Sequence, residues 1–251
     1  MTKKFIVYII NLKKDEERKK NILREIKEQN IKNYELVAAV DGNNLTEREL
    51  SLFTYKNKKS INPWNTKMSP SQIGCALSHI KIYRKFIKSN YDFALVLEDD
   101  AYFLKDFKEK LQNFIIRNLK YKKQILLLSE LKEFIGKPLD KFNSYEVVSV
   151  TNASFTHSYL INKKAAESII KFNYPVKTIA DNFVFFNIYC KIKITGLNPF
   201  LIGQDTKQFK TSITNLADNN RKIFLIKRSI YKMKNKILKK FIKFKSNKKL
   251  T

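Results

Sequence analysis

The sequence predicts a single α/β domain built on a mostly parallel sheet, with a basic amphipathic helix appended at its C-terminal end. Three observations carry this expectation. In the first half of the chain, apolar β-type runs alternate with segments of helical periodicity, as happens when strands are joined by helical crossovers. The length of 251 residues suits one large domain with a real core, but not two ordinary domains and a linker. Residues 221–251 hold 13 of the 50 basic residues and no acid, so the composition changes where the domain should end. The expected division is 1–220 for the domain and 221–251 for the tail.

Residues 5–11 are a near-continuous β-type run and form the first strand. Lys3 and Lys4 precede it, but no small-residue cleavage site follows, so it does not read as a signal peptide. Residues 16–29 place Ile22 and Ile26 at helical spacing, and residues 34–38 form the second strand. Asp41-Gly42 makes a turn, and Thr46 with Glu49 three positions on is a capping box opening a short helix. Residues 55–67 form a polar loop around Pro63-Trp64. The clearest helix start is Ser69-Pro70-Ser71-Gln72, with an N-cap serine, proline at the first helical position and glutamine at the capping-box position. That helix runs to about Ser89 on a stripe of Ile73, Leu77, Ile80, Tyr83 or Arg84, and Ile87.

The next strand, residues 93–97, ends in Glu98-Asp99-Asp100. Helices follow at 105–117, 163–171 and 182–189, and strands at 124–128, 145–150 and 192–195. In the tail, Ile223, Ile226, Ile230, Met233, Ile237, Phe241 and Phe244 stand three or four apart, with lysines filling the other face.

Composition removes several functional classes. Hydrophobic residues make up 43% and aromatics 13%, far from a disordered polymer. Cys75 and Cys190 are the only cysteines, so there is no disulfide framework, and a reducing compartment, the cytoplasm, is expected. No window approaches the roughly 18 to 20 apolar residues that span a bilayer, which leaves peripheral contact through the basic tail. With only five glycines there is neither a Gly-x-Gly-x-x-Gly nor a P-loop, so phosphates must be held by side chains or metal. The net charge of +27 raises nucleic-acid binding as a rival function, yet lysine outnumbers arginine 43 to 7, and arginine is the preferred base and phosphate reader.

Three adjacent acids at the C-terminal edge of a buried strand lie where α/β proteins bind ligands, and their mutual repulsion is relieved by a cation or by solvent at a turn, unless they simply cap a helix beginning near Lys105. Glu98 and Asp100, two apart, are expected on one side of the chain. Hard carboxylate ligands suit Mg²⁺ or Mn²⁺ with substrate phosphates completing the shell. Cys75 and His79, at i and i+4, form half of a zinc set, but no further ligands are evident, which favours a structural role. His157 belongs to no hydrolase-like order and is expected near the cleft.

Taken together, Ile10-Asn11-Leu12 with Arg18, Ala39-Val40-Asp41-Gly42, Gly74-Cys75-Ala76-Leu77-Ser78-His79 and Leu97-Glu98-Asp99-Asp100 resemble glycosyltransferase family 25, the bacterial lipooligosaccharide galactosyltransferases and related collagen galactosyltransferases. Residues 156–161 with Lys163 and Ala165-Ala166, and Pro199 with Ser212-Ile213, continue the likeness, which covers about residues 4–214.

The resemblance implies a GT-A-like (Rossmann-like) fold and metal-dependent transfer of a sugar, galactose with inversion to a β-linkage, from a UDP-sugar to a saccharide. Asp100 and Glu98 would hold Mn²⁺ or Mg²⁺, and Asp99 would be a supporting catalytic acid. Asn11, Leu12, Arg18, Gly74, Ser78, His79, Glu98 and His157 would line the donor site. The family sets Pro, an aliphatic residue and Asp side by side, whereas Pro175-Val176 here stands four residues before Asp181, the candidate catalytic base. The implied acceptor is a lipid-linked saccharide such as lipooligosaccharide. The enzyme is then expected in a bacterial cytoplasm, at the inner face of the membrane, with residues 221–251 on anionic lipid and no nucleic acid bound. A catalytically inactive membrane-associated relative is the remaining alternative.

Overall fold

The computed structural model describes residues 4–54, 68–104, 107–110, 119–153, 156–206 and 208–209. The expected polar loop at 55–67 and the tail at 221–251 lie outside these residues, as does most of the helix expected at 105–117. In chain order the elements are β1 (Phe5–Asn11), α1 (Glu16–Glu28), β2 (Tyr34–Ala38), a 3₁₀ turn (Gly42–Asn44), α2 (Glu47–Phe53), α3 (Pro70–Lys88), β3 (Phe93–Glu98), β4 (Ala101–Phe103), α4 (Phe107–Lys110), β5 (Gln124–Leu127), β6 (Glu133–Phe142), β7 (Tyr145–Asn152), β8 (Ser158–Asn162), α5 (Lys163–Asn173), α6 (Phe183–Tyr189), β9 (Lys193–Asn198) and β10 (Ile202–Gln204).

Eight strands form one sheet in the order β2-β1-β3-β8-β5-β9-β7-β6, and β4 pairs with β10 separately. β1 runs parallel to β2 and β3, and β5 parallel to β9, whereas β8 is antiparallel to both its neighbours and β7 to both of its own. Six of the eight strands therefore run in one direction, which gives the mostly parallel α/β architecture expected. Among the described residues no helix is long and apolar enough to cross a membrane.

Side-chain alternation along the strands builds two cores. Val7, Ile9, Leu95 and Leu97 face Ile22 and Ile26 of α1, while Tyr8, Ala94 and Val96 face Ile82, Tyr83 and Phe86 of α3 and Ala165, Ala166 and Ile169 of α5. β3 is buried on both faces, and each of its leucines contributes about 2 kcal/mol by leaving water. That strand, pinned between β1 and β8, delivers the acids to a fixed place.

α3 starts as expected: Ser69 accepts from Gln72 N, and Gln72 Oε1 accepts from Ser69 N at 2.9 Å. It lies against the 3₁₀ turn so closely that a Cβ on Gly74 would stand 2.5 Å from Val40 O and from Gly42 N. Only glycine allows that approach. One turn later, Ser78 Oγ accepts from Val40 N at 2.8 Å and donates to Gly74 O at 2.7 Å. Gly74 and Ser78, expected in the donor site, therefore make their close contacts with the backbone of residues 40–42, fixing α3 against the end of β2.

Candidate functional site

The register of β1 on β3 pairs Ile10 with Glu98, so the next residues, Asn11 and Asp99, emerge together at the C-terminal edge of the sheet. Asn11 Nδ2 donates to Asp99 Oδ2 at 2.8 Å and to Asp15 O at 3.1 Å. Arg18, in the first turns of α1, reaches back over this edge. Its Nη1 stands 2.9 Å from Asp99 Oδ1 and its Nη2 2.6 Å from Asp100 Oδ2, one guanidinium thus bridging two carboxylates. From the far end of the chain, Gln204 Nε2 donates to Asp100 Oδ2 at 3.1 Å and Asp205 N to Asp100 O at 2.8 Å. Phe209 lies under the guanidinium, its ring centre 5.3 Å from the Arg18 Cζ.

These carboxylates are almost wholly enclosed. Burial raises the Asp99 pKa to about 6 against the pull of Arg18, and burial followed by the charge of Glu98 raises that of Asp100. Asp100 Oδ1 is buried and accepts no hydrogen bond among the described residues. An acceptor in that state, beside a second carboxylate, suits a hard cation with oxygen ligands. The residues present thus fit a hard divalent cation, which Asp100 Oδ1 would meet.

Glu98 goes elsewhere. Expected on the same side as Asp100, it faces α3 instead, because the chain turns at Asp99-Asp100 and period-two alternation ends there. The Thr156 hydroxyl donates to Glu98 Oε1, and His79 Nε2 stands 3.7 Å from the same atom. Burial alone would raise the Glu98 pKa, but His79 and Thr156 together bring it below the usual carboxylate value. Cys75 lies one turn before His79, and its thiol is pushed well up by burial, then by Glu98 and Asp181. Asp181, just before α6, is therefore brought to the Cys75 side of the site. On the other ring nitrogen, His79 Nδ1 meets Tyr159 Oη at 2.7 Å, and Tyr159 Oη meets Tyr83 Oη at 2.6 Å.

His157 is buried at the head of β8. Burial lowers its pKa, while Glu98 and Asp100 opposite, and then the nearby Ile202 backbone, push it back up. Leu12 closes the end of β1, its carbonyl accepting from Asp15 N at 2.9 Å. The structure thus joins Asn11, Arg18, Asp99 and Asp100 in one cluster and His79 and Glu98 in an adjoining one, with His157 facing acids of both. Gln204 escaped sequence reasoning, and Thr156 and Tyr159 entered it only within the family likeness of residues 156–161, with no role in the site. Gln204 ends a three-residue strand 104 residues from its partner, too short for any periodicity, and Thr156 and Tyr159 carry no local signal beyond adjacency to His157.

A family model described as glycosyltransferase family 25 (LPS biosynthesis protein) matches residues 5–184. A human protein named procollagen galactosyltransferase 2 is 24% identical over 212 residues, covering 81% of this chain and 33% of the relative. A mimivirus protein named procollagen lysyl hydroxylase and glycosyltransferase is 29% identical over 238 residues, covering 82% and 26%. A putative glycosyltransferase of Haemophilus influenzae is 27% identical over 206 residues, covering 79% and 70%. The chain spans about a third of the length of the procollagen galactosyltransferase.

Proposed function

The chain belongs to glycosyltransferase family 25, and on that premise we propose that it transfers a hexose, galactose by preference, from a UDP-sugar to a saccharide hydroxyl. The names of the relatives support galactose. The observation that carries the site is the Arg18-bridged pair Asp99–Asp100 at the C-terminal edge of β3, with Asp100 Oδ1 buried and open.

In this reading Asp100 is the principal ligand of a divalent cation, which when bound neutralises the charge that develops on the departing nucleoside diphosphate. Arg18 and Asn11 hold Asp99 and Asp100 in one orientation, so their carboxylates need no rearrangement as the donor enters. Gln204 and the Asp205 N–H fix Asp100 from the other side. Asp181 accepts the proton of the attacking hydroxyl, and inversion requires it to work from the face of the sugar opposite the diphosphate. The acceptor we propose is a lipid-linked saccharide at the inner face of a bacterial membrane, with residues 221–251 holding the protein to anionic lipid.

The test is UDP release from a panel of UDP-sugars, in Mn²⁺ or in excess chelator. Turnover is expected with the galactose donor, lost in chelator, and reduced roughly 10²- to 10³-fold in Asp100→Asn. Wild-type turnover in that variant defeats the assignment of Asp100. Deleting residues 221–251 is expected to lower partitioning onto anionic liposomes more than turnover on a soluble acceptor; undiminished partitioning defeats the membrane role.

A further inference from the structure

The structure places a thiol, an imidazole and a carboxylate together at the second cluster, and we propose that Cys75, His79 and Glu98 form a site for a thiolate-preferring divalent ion of the zinc class, separate from the hard-cation site at Asp100. Their ligand atoms lie within 4.8 Å of one another, the one such group among the described residues. α3 supplies two of them because i and i+4 share a helix face, and the last residue of β3 supplies the third.

The orientation of His79 is what distinguishes a site from a coincidence of side chains. The ring is 2% exposed, and Nδ1 is engaged by Tyr159 Oη at 2.7 Å, itself held by Tyr83 Oη. The tautomer that the proposed site requires has Nδ1 donating to Tyr159 and Nε2 presenting its lone pair inward. That atom is buried, makes no hydrogen bond among the described residues, and faces Glu98 Oε1 at 3.7 Å. A lone pair held against a carboxylate is repulsive until a positive charge sits between them. A hydrogen-bond acceptor on the outer nitrogen is what orients a metal-binding imidazole, and the Tyr159 hydroxyl can serve as one here. Thr156 does the same for Glu98, its hydroxyl donating to Oε1.

Ligand chemistry selects the ion. Thiolate and imidazole favour zinc over magnesium or manganese, and three protein ligands leave a fourth position open. On binding, the Cys75 S–H bond is replaced by an S–metal bond and the proton leaves to solvent. Thiolate, Glu98 carboxylate and a dipositive ion then sum to zero charge, which a buried site tolerates. The ion would tie α3 to the end of β3 directly beside the acids.

Chelator-stripped full-length protein titrated with Co²⁺ tests this by absorbance. A thiolate-to-cobalt charge-transfer band is expected, saturating at one equivalent and displaced by Zn²⁺. Cys75→Ser should abolish it, while Cys190→Ser and Asp100→Asn should retain it, the latter separating this site from the one proposed for the donor. Tyr159→Phe should weaken Co²⁺ binding roughly 10- to 100-fold. No band in protein shown by circular dichroism to be folded, or a band that survives in Cys75→Ser, overturns the proposal. So does a His79 ring still protonated on both nitrogens, by ¹⁵N NMR, in the presence of Zn²⁺; that would make it an ion pair with Glu98.

Discussion

Asp99→Asn should make the protein more stable near pH 8 while removing its activity, and the magnitude follows from the site. Burial raises the Asp99 pKa from the ordinary 3.8 to about 6 even with Arg18 2.9 Å away. A carboxyl whose pKa is raised by folding costs stability when ionised. The cost is absent below about pH 3.8, grows as pH rises towards 6, and is constant above that. At 1.36 kcal/mol for each tenfold change in proton affinity, it comes to about 3 kcal/mol. An asparagine carries no charge and can still accept from Arg18 through its carbonyl, but its amide meets the Asn11 amide, so one hydrogen bond worth about 1 kcal/mol is lost. The net gain should be about 2 kcal/mol at pH 8, turning into a loss of about 1 kcal/mol near pH 3.5. Urea unfolding of both proteins at several pH values measures it. Equal destabilisation of the variant at both ends of that range would show that the ionised carboxylate is no burden, and would refute the reasoning.

Arg18→Ala should destabilise by about 3 kcal/mol, because two buried carboxylates lose their shared counter-charge. Arg18→Lys should recover part of that stability in chemical denaturation but little UDP release, since an ammonium cannot bridge both acids as the planar guanidinium does. Gly74→Ala should cost about 1–3 kcal/mol and lower the melting temperature, as its methyl would meet the Val40 and Gly42 backbone at 2.5 Å; an unchanged melting temperature would show that α3 can move away freely.

Much of the architecture was legible because local signals agree with the final packing. β1, β2, α3 and both capping boxes appear where apolar runs and turn residues put them. What was illegible depends on neighbours distant in sequence. β8 is buried along Ser158–Ile161 and passes straight into α5 through Asn162, which is both its last residue and the N-cap of the helix. With no turn between them, it reads as the approach to a helix, and its central antiparallel place is invisible. β6 contains Pro138 and two register shifts, all tolerated because it pairs on one side only. In the site, Asn11, Arg18, Asp99 and Asp100, all expected near the cleft, are linked by hydrogen bonds and ion pairs, whereas Glu98 is not part of that cluster. The turn that sends Glu98 to His79 and Asp100 to Arg18 is a property of two residues whose side chains carry the same charge.

The strand pairing also gives the site a schedule. Asp100 emerges from synthesis early, but Gln204 lies 104 residues later, and β8, which closes the open flank of β3, lies between them. At roughly 5–20 residues per second, a nascent chain carries its acids for about 5–20 s before their last partner exists. During that interval the edge of β3 is an unpaired ladder beside clustered negative charge. Charge of that kind discourages the edge from pairing with other chains, so the residues proposed for chemistry also guard the half-made protein.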